Sequence, residues 1–341
     1  MLAARFYKGK DNATLEDVPI PSVGRNDVLV KIQGIGVCRS DLHMILGTFA
    51  IDNLPVTMGH EGSGIVEQVG EDVTNVKKGD RVGIFYVQVC GECIYCVTGR
   101  ENLCIKQRNL GFNLDGTWAE YLVVHSRSVL KLPDNVPFAE AALAGCAVVT
   151  AFHANLAGEV KAGNSVAIIG MGGVGFNGLQ WSRYFGASPI IVVDIDQNKL
   201  ERAKQSGADY VINSREEDPV EGIRRLTNGE GVDVAFEYIG LKPTIEQMIR
   251  STKIGGTAVM VGISGSKIEI DALDFLGKGS HLKAVNNHTR SQMMTVLSLM
   301  GAKRIDVSKS ISSRMKLSEA DKAVDILRSQ QGSPNRIVLT P

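Results

Sequence analysis

A glycine-rich turn between a strand-like run and a helix-like run most constrains how this chain folds. It follows the apolar residues 165–169 directly and opens a helical pattern over residues 175–185. In such a turn the first glycine permits the tight bend, the second lets the backbone approach a pyrophosphate, and the third lets helix and strand pack closely. The turn therefore predicts a dinucleotide site at a helix N-terminus. Its sequence is Gly170-Met171-Gly172-Gly173-Val174-Gly175.

Strand-like and helix-like patterns continue to alternate after this turn. Such alternation predicts βαβ units and a doubly wound parallel sheet that is buried on both faces. The predicted strands are 165–169, 190–193, 210–212, 233–236 and 258–262, and the predicted helices are 175–185, 199–206 and 244–251.

Asp194 ends the second strand-like run, nineteen residues after Gly175. A carboxylate at this place accepts hydrogen bonds from the adenosine ribose hydroxyls and repels a 2′-phosphate. The sequence therefore favours NAD over NADP. The alternative interpretation is an ordinary glycine-rich turn with a solvated aspartate.

The length of 341 residues favours two domains. The first part of the chain is predicted to be irregular β structure, with short runs at 27–32, 64–69 and 119–124. The tail predicts helices at 291–300 and 320–328 and a last strand at 336–340. The pattern changes near residues 147 and 286, so we expect domain boundaries there.

The charge balance and the hydropathy exclude several classes of partner. Lysine plus arginine and aspartate plus glutamate each number 37, so no net field attracts nucleic acid. No run of eighteen uncharged apolar residues predicts a membrane span, and residues 1–10 do not resemble a signal peptide. A cytoplasmic protein without nucleic-acid or membrane partners is therefore expected.

Four of the six cysteines lie within residues 90–104, and they are Cys90, Cys93, Cys96 and Cys104. The two-residue gaps let neighbouring sulfurs meet one ion, and the longer gap lets the chain reach the fourth corner of a tetrahedron. Four thiolates leave no position for water, so this spacing predicts a structural zinc site. Free buried cysteines or a redox Cys-x-x-Cys pair are the alternatives.

The other two cysteines, Cys38 and Cys146, are far apart in sequence, and His60 lies between them. Two cysteines and one histidine form one type of catalytic zinc site, with a fourth position open. Spacing alone does not bring these residues together. His60 is also compatible with a hydrogen-bonded core histidine, and Cys146 with a small core residue.

A dinucleotide turn and two zinc patterns on one chain resemble the zinc-containing medium-chain alcohol dehydrogenase family, and the resemblance extends along essentially the whole chain. It implies a GroES-like, mostly β catalytic domain from residues 1–147 and 286–341, a Rossmann coenzyme domain from residues 148–285, and an active site in the cleft. The lobe at 90–104 resembles the family's structural-zinc lobe at every cysteine spacing. The segments that resemble the family's catalytic ligands are Gly36-Val37-Cys38-Arg39-Ser40-Asp41-Leu42-His43, Gly59-His60-Glu61 and Gly145-Cys146.

The resemblance assigns Cys38, His60 and Cys146 to the catalytic zinc. It implies that Glu61 lies beside the zinc and ligates it in some states. It also implies that Asp41 orients His60 through the second ring nitrogen.

By the same resemblance, Ser40 bonds to the substrate hydroxyl and accepts its proton, and His43 passes the proton toward solvent. Zinc stabilises the alkoxide, and hydride then moves between the alcohol carbon and NAD. The expected partners are a small alcohol, aldehyde or ketone. A homo-oligomer is expected, with a tetramer favoured over a dimer.

The resemblance also implies cofactor contacts for four residues, each of which has an alternative interpretation without a function. Arg39 and Arg336 are expected at the pyrophosphate, Lys199 near the adenosine ribose, and Thr150 at the nicotinamide. Solvated charges and, for Thr150, a core position are the alternatives.

Three large aromatic residues, Phe49, Tyr86 and Trp118, fall at positions that line the family's substrate pocket. They imply an apolar pocket for bulky or aromatic alcohols, and mildly disfavour sugars. Aromatic residues are also common in ordinary cores.

Three other functions remain open at this point. The first is a polyol or amino-alcohol dehydrogenase of the same family, and the second is a zinc-free reductase of quinones or enones. The third is a non-catalytic zinc module that binds nucleic acid or protein, which would have no use for the dinucleotide turn.

Overall fold

The computed structural model describes residues 1–48, 51, 53–263, 265 and 267–341. These residues form two compact units, Met1–Val149 with Asn287–Pro341, and Thr150–Asn286.

The helices and strands are numbered in chain order. The strands are β1 Leu2–Phe6, β2 Thr14–Asp17, β3 Asp27–Val37, β4 Val56–Thr57, β5 Glu61–Val69, β6 Arg81–Ile84, β7 Val87–Gln88, β8 Arg108–Asn109, β9 Tyr121–His125, β10 Val129–Lys131, β11 Val166–Ile169, β12 Ile190–Asp194, β13 Tyr210–Asn213, β14 Val232–Glu237, β15 Thr252–Met260, β16 His281–Ala284, β17 Ile311–Lys316 and β18 Arg336–Thr340. The helices are α1 Arg39–Ile45, α2 Ile94–Val97, α3 Phe138–Leu143, α4 Val149–Ala157, α5 Gly173–Tyr184, α6 Gln197–Gln205, α7 Pro219–Leu226, α8 Lys242–Ser251, α9 Ala272–Lys278, α10 Arg290–Gly301 and α11 Ala320–Ser329.

The unit Thr150–Asn286 contains a six-stranded sheet in the order β13-β12-β11-β14-β15-β16, and every pair of neighbours is parallel. Counted within the unit, this is the order 3-2-1-4-5-6 of a doubly wound dinucleotide-binding fold. The predicted Rossmann arrangement is therefore confirmed.

The sheet of this unit is covered on both faces, as its continuous apolar strands require. Along β11, Val166 and Ile168 pack with Phe176 and Leu179 of α5 in one core cluster. The alternate residues of β11 pack on the other face with Ile223 of α7 and with α8. One strand thus serves two cores because its side chains alternate between the faces.

The sequence missed some elements of this unit and misplaced one boundary. Strand β15 begins at Thr252 directly after α8, six residues before the predicted start, and it tolerates Gly255 and Gly256 through a register shift against β14. Helix α7, helix α9 and edge strand β16 were not predicted. Since β16 has no fully buried residue, it carries no apolar run by which it could be recognised.

The other unit is mostly β, with sheets β2-β1-β4, β10-β6-β5-β3-β18-β17 and β7-β8. The long strand β3 pairs with β5, β9 and β18, so it joins the start of the chain to its tail. Helices α1, α2 and α3 interrupt the region predicted as irregular β structure. The tail elements α10, α11 and β18 are present as predicted.

One stretch, Phe138–Ala157, is long and apolar enough to cross a membrane by length and composition. However, 83% of its apolar window is buried inside the fold. We therefore interpret it as a core helix of a folded domain.

Candidate metal and dinucleotide sites

The structure brings together Cys38, His60, Glu61 and Cys146, whose ligand atoms all lie within 4.8 Å of one another. All four residues are buried. Strand pairing explains part of this, because Gly36 of β3 lies opposite Glu61 of β5. Cys38 follows β3 and His60 precedes β5, so both residues lie at the same end of this antiparallel strand pair.

Cys146 reaches the cluster from a different element, the π-helical turn Ala144–Val148 between α3 and α4. Such turns are rare in proteins, and those that occur are often found at functional sites. The three residues that sequence spacing could not join are therefore close together in the structure.

Asp41 organises two of these residues. Its Oδ1 lies 3.0 Å from Nδ1 of His60, and its Oδ2 accepts a hydrogen bond from the backbone N of Cys38 at 2.8 Å. With Nδ1 engaged, His60 turns its Nε2 toward the cluster as a metal ligand requires. Asp41 is 1% exposed, so this arrangement is shielded from water.

Glu61 is bonded on one oxygen only. Its Oε1 lies 3.4 Å from a guanidinium nitrogen of Arg336 and accepts a hydrogen bond from the backbone N of Ala147 at 3.1 Å. Its Oε2 is buried without a hydrogen-bond partner in the described part of the chain. A buried carboxylate oxygen without a partner is costly, and a cation beside it would remove that cost.

The electrostatics of the cluster favour a bound cation. A hydrogen bond from Cys146 holds the pKa of Cys38 well below its usual range. Burial acts to lower the pKa of His60, but the charges of Asp41 and Cys38 outweigh it and raise this pKa. Burial raises the pKa of Glu61 to about 7. A pocket that stabilises a thiolate and a positively charged imidazole also stabilises a metal ion.

The two residues expected to form a proton relay, Ser40 and His43, lie on α1, which begins directly after Cys38. The Ser40 Oγ lies 3.7 Å from the Cys38 Sγ. His43, one turn further, is half-buried, and its Nδ1 lies 3.5 Å from Thr48 Oγ1. Burial, followed by the charge of Arg39, lowers the pKa of His43. Arg39 itself is exposed on the first turn of α1.

The three aromatic residues expected in the substrate pocket have different outcomes. Phe49 lies outside the described residues. Trp118 is 0% exposed, and a side chain on Gly59 would meet its ring at 1.9 Å. Gly59 also has φ +88°, so only glycine fits between His60 and this indole. Trp118 thus packs as a core residue beneath the loop that carries His60.

Tyr86, in contrast, lies against the cluster itself. Its ring centroid is 5.0 Å from that of His60, in an edge-on arrangement, and it is 5% exposed. Burial and the nearby thiol of Cys146 raise its pKa well above the usual value, so the phenol stays protonated.

The second metal cluster consists of Cys90, Cys93, Cys96 and Cys104. Three of the sulfur pairs, Cys90–Cys96, Cys93–Cys96 and Cys90–Cys104, are 3.9, 3.5 and 3.5 Å apart. Disulfide bonds would require about 2 Å. A tetrahedral zinc site with Zn–S distances of about 2.3 Å places its sulfurs about 3.8 Å apart. The spacing therefore fits four ligands of one ion.

Backbone amides assist this lobe. The N of Cys93 donates to the Cys90 sulfur at 3.4 Å, and the N of Cys90 to the Cys104 sulfur at 3.4 Å. The backbone N–H of Cys96 lowers the pKa of Cys93 to about 6. The thiolate of Cys93, the form that binds metals, is thus stabilised by the backbone, whereas burial raises the pKa of Cys96 to about 12.

The glycine turn adopts the conformation that a dinucleotide site requires. Gly170 has φ +97°, and a side chain on Gly175 would lie 1.9 Å from the carbonyl oxygen of Gly170. Above Gly172, the N-cap of α5, a side chain would meet nothing within 4 Å. Gly173 and Val174 open the helix. The turn is therefore tight below and open above, where a pyrophosphate would bind the helix N-terminus.

Asp194 lies at the end of β12 as predicted, but it has a further structural role. Its Oδ2 accepts from the backbone N of Met171 at 2.6 Å, and its Oδ1 from the N of Asp196 at 3.0 Å. Each oxygen retains a second lone pair for a ribose hydroxyl. The carboxylate therefore also fixes the glycine turn, which sequence reasoning did not foresee.

The remaining cofactor residues lie as follows. Lys199 is half-buried in the first turn of α6, just after Asp194, and Thr150 is half-buried in the first turn of α4. Arg336 is 3% exposed and donates to the carbonyl oxygen of Val37 in addition to its pairing with Glu61. Its solvated alternative is therefore wrong, whereas its proposed contact with pyrophosphate stays a prediction.

Sequence reasoning missed two features of the site. One is the buried pairing of Arg336 with Glu61, which joins residues far apart in sequence. The other is Asn287, whose Oδ1 accepts a hydrogen bond from the Tyr86 hydroxyl at 2.7 Å. Neither follows from a local motif, so no signal in one sequence could have found them.

Comparison with family models agrees with both units. Residues 24–134 match the model described as alcohol dehydrogenase GroES-like domain, and residues 173–302 match that described as zinc-binding dehydrogenase. The predicted GroES-like, mostly β domain is thereby confirmed beside the parallel-sheet domain.

The chain is also similar to individual proteins of known type. It is 37% identical to an alcohol dehydrogenase of Geobacillus stearothermophilus over 87% of this chain and 88% of that protein. It is 36% identical to an NAD-dependent alcohol dehydrogenase of Sulfurisphaera tokodaii over the full length of both. The solved alcohol dehydrogenase from Thermus sp. ATN1 superposes with a TM-score of 0.94 at 30% identity, covering 100% of this chain and 99% of that one.

Proposed function

The chain belongs to the zinc-containing medium-chain alcohol dehydrogenase family, and from this premise we propose that it catalyses NAD-linked, zinc-dependent interconversion of alcohols with aldehydes or ketones. The observation that carries the proposal is the convergence of Cys38, His60, Glu61 and Cys146 within 4.8 Å in a buried cluster. A structural zinc site is closed by four protein ligands, whereas two cysteines and one histidine leave one position open.

The residues present fit a catalytic zinc. Two cysteine sulfurs and one imidazole nitrogen are donors that zinc prefers, and three protein ligands leave a position for the substrate. The orphaned Oε2 of Glu61 gives a carboxylate oxygen that could enter or leave the ligand set. Bound zinc would supply the positive charge that lowers the pKa of an alcohol hydroxyl.

The residues of the glycine turn fit NAD, because Gly172 leaves open space at the helix N-terminus and Asp194 ends the next strand. NAD would supply the acceptor for the hydride. We propose that Lys199 contacts the adenosine ribose of NAD and that Thr150 contacts its nicotinamide. Arg39 and Arg336 are proposed to contact its pyrophosphate.

The chain's own side chains then move the proton. Ser40, beside Cys38, would accept the proton of the substrate hydroxyl, and His43 on the same helix would carry it outward. The lowered pKa of His43 keeps its imidazole neutral near pH 7, so a lone pair is available for that proton. Asp41 holds His60 in the tautomer that leaves Nε2 available.

Several finer proposals accompany this function. We propose two zinc ions per chain, the second held by Cys90, Cys93, Cys96 and Cys104. The chain is proposed to act in the cytoplasm as a homo-oligomer, as a tetramer or a dimer. The catalytic domain is proposed to comprise residues 1–147 and 286–341, and the coenzyme domain residues 148–285.

The test is NADH formation with a panel of primary, secondary, aromatic and polyhydric alcohols, with NADP as a parallel cofactor. We expect NAD to be reduced, activity to be lost on chelation, and zinc, but not magnesium, to restore it. The variant His60→Ala should lose activity, whereas the matched variant His281→Ala, at an exposed edge strand, should retain it.

Each rival function predicts a different result. A zinc-free reductase would stay active after chelation, and a polyol or amino-alcohol dehydrogenase would use only the polyhydric or amino alcohols. A non-catalytic zinc module would fail to bind NADH, which fluorescence titration measures directly.

A further inference from the structure

The phenol of Tyr86 is a polar group beside the metal cluster, and the reaction described above assigns it no role. Its ring packs edge-on against His60 at 5.0 Å, and the residue is 5% exposed. A phenylalanine would fill the same apolar space. The hydroxyl therefore needs a separate explanation.

The hydroxyl is hydrogen-bonded in a defined direction. It donates to Oδ1 of Asn287 at 2.7 Å. A phenol has one proton and two acceptor lone pairs. With its proton used for Asn287, the oxygen can only accept, so it offers a binding position for a hydrogen-bond donor.

Asn287 is held firmly in place. Its backbone has φ +51°, a left-handed conformation that asparagine tolerates better than most residues. The next residue, His288, is fully buried and packs edge-on against Phe85 at 5.4 Å and Tyr86 at 5.6 Å. The amide is thus supported from its own backbone, which favours a preorganised contact.

The helix that follows adds a second anchor. Thr289 caps α10 in a capping box with Gln292, and the backbone N of Arg290 donates to Glu101 at 2.5 Å. Glu101 lies between the last two cysteines of the 90–104 lobe. The segment that carries Asn287 is therefore fixed at its end to the lobe proposed to bind the structural zinc.

We propose that Tyr86 and Asn287 form a subsite for a second hydroxyl group of the substrate, so that vicinal diols are preferred over simple alcohols. This inference rests on the proposed function and names its substrate class. It revises the expectation of a wholly apolar pocket, because Trp118 is core and Tyr86 carries a fixed polar group. Tyr86 touches the substrate, whereas Asn287 is a positioning residue that acts through the phenol.

One hydrogen bond to a buried neutral group contributes about 1 kcal/mol, so loss of the phenol should reduce discrimination roughly five- to tenfold. The measured quantity is the ratio of kcat/KM for 2,3-butanediol to that for 2-butanol, which share a carbon skeleton. We expect a ratio well above one in the native enzyme. It should fall about five- to tenfold in both Tyr86→Phe and Asn287→Ala.

Matched variants separate this subsite from a general disturbance. Tyr95→Phe removes a phenol from the 90–104 lobe and should leave the ratio unchanged. Asn287→Asp keeps an acceptor oxygen for the phenol and should restore the preference that Asn287→Ala loses. A purely structural role of Asn287 would lower activity on both alcohols alike and would not change their ratio.

Binding without turnover gives a second readout. With NADH in place of NAD no oxidation occurs, and calorimetry gives Kd for each alcohol. The diol should bind several-fold more tightly to the native enzyme, and the difference should disappear in Tyr86→Phe. Oxidation of 2-butanol without any diol preference would overturn the subsite but leave the proposed function intact. Absence of NADH formation with every alcohol of the panel would overturn the proposed function itself.

Discussion

Replacement of Asp41 by asparagine tests how far the catalytic site depends on one buried carboxylate. Both oxygens of Asp41 accept, one facing Nδ1 of His60 at 3.0 Å and the other the backbone N of Cys38 at 2.8 Å. An amide offers one acceptor and one NH2 group. Whichever way it turns, the NH2 group faces a donor, so one of the two hydrogen bonds is lost together with the negative charge.

Hydrogen bonds to charged groups contribute about 1.5–3 kcal/mol each. Removal of such a partner of a metal ligand typically costs 10–100-fold in metal affinity, or about 1.4–2.7 kcal/mol. We therefore expect Asp41→Asn to bind the catalytic zinc 10–100-fold more weakly, with the 90–104 lobe unaffected.

The assay is competition with a chelator of known affinity, with zinc per chain measured at each chelator concentration. Of the two zinc ions proposed per chain, one should be released at a lower chelator concentration in Asp41→Asn. The matched variant is Asp72→Asn, which removes an exposed carboxylate paired with Arg25, and its release curve should overlay that of the native protein. If both zinc ions of Asp41→Asn were released as in the native protein, the argument that Asp41 orients His60 through Nδ1 would be refuted.

Three further predictions concern the Thr150–Asn286 unit. The buried hydroxyl of Tyr238 has no hydrogen-bond partner in the part of the chain described, so Tyr238→Phe should raise the free energy of unfolding by about 1 kcal/mol in urea titration; a loss would contradict this. Burial raises the pKa of Asp233, but hydrogen bonds from Lys253 and Ser165 outweigh it and lower this pKa, so its ionised form stabilises the fold above the unfolded pKa of about 3.9. Asp233→Asn should therefore lower the free energy of unfolding by about 1 kcal/mol at pH 7, measured by urea titration. This difference from the native protein should shrink as the pH falls through the folded pKa of Asp233. A difference that did not change with pH would argue against the ionised carboxylate as its source. Gly175→Ala should weaken NADH binding more than tenfold in fluorescence titration, because its side chain would lie 1.9 Å from a carbonyl oxygen; Gly277→Ala, in open space, should not.

Local patterns were sufficient for the dinucleotide turn with the strands around it, and for the cysteine lobe. The glycine turn, the strand before it and Asp194 lie within thirty residues, so their spacing reports their geometry directly. The same holds for Cys90, Cys93 and Cys96, where the two-residue gaps keep neighbouring sulfurs close to one another.

Distant pairs required more than spacing. Nothing local indicates that Cys38, His60 and Cys146 meet, and only the resemblance to a family predicted it. In the structure a β3–β5 register and a π-helical turn bring them together. Both are tertiary features, set by pairing and packing over the whole unit.

The burial of a side chain in the structure also shows whether an aromatic residue belongs to a core, which its residue type alone does not. The resemblance to the family predicts Trp118 in the substrate pocket, but an aromatic ring equally fills a core. Contact with Gly59 puts it in the core. Tyr86 is also a large aromatic residue, but it lies at the metal cluster. Only their surroundings in the structure distinguish Tyr86 from Trp118.

The charges of the catalytic cluster explain why the tail of the chain must return to the first unit. Cys38 and Cys146 as thiolates, together with ionised Glu61 and Asp41, place four negative charges among buried residues. Arg336, on strand β18 of the tail, supplies one positive charge at 3.4 Å from Glu61. A divalent ion would supply two more and leave one negative charge uncompensated, which protonation of Glu61 would remove, because burial raises its pKa to about 7. Without the tail strand the buried set would lack the guanidinium charge, so the discontinuous domain serves the electrostatics of the site as well as its β-sheet.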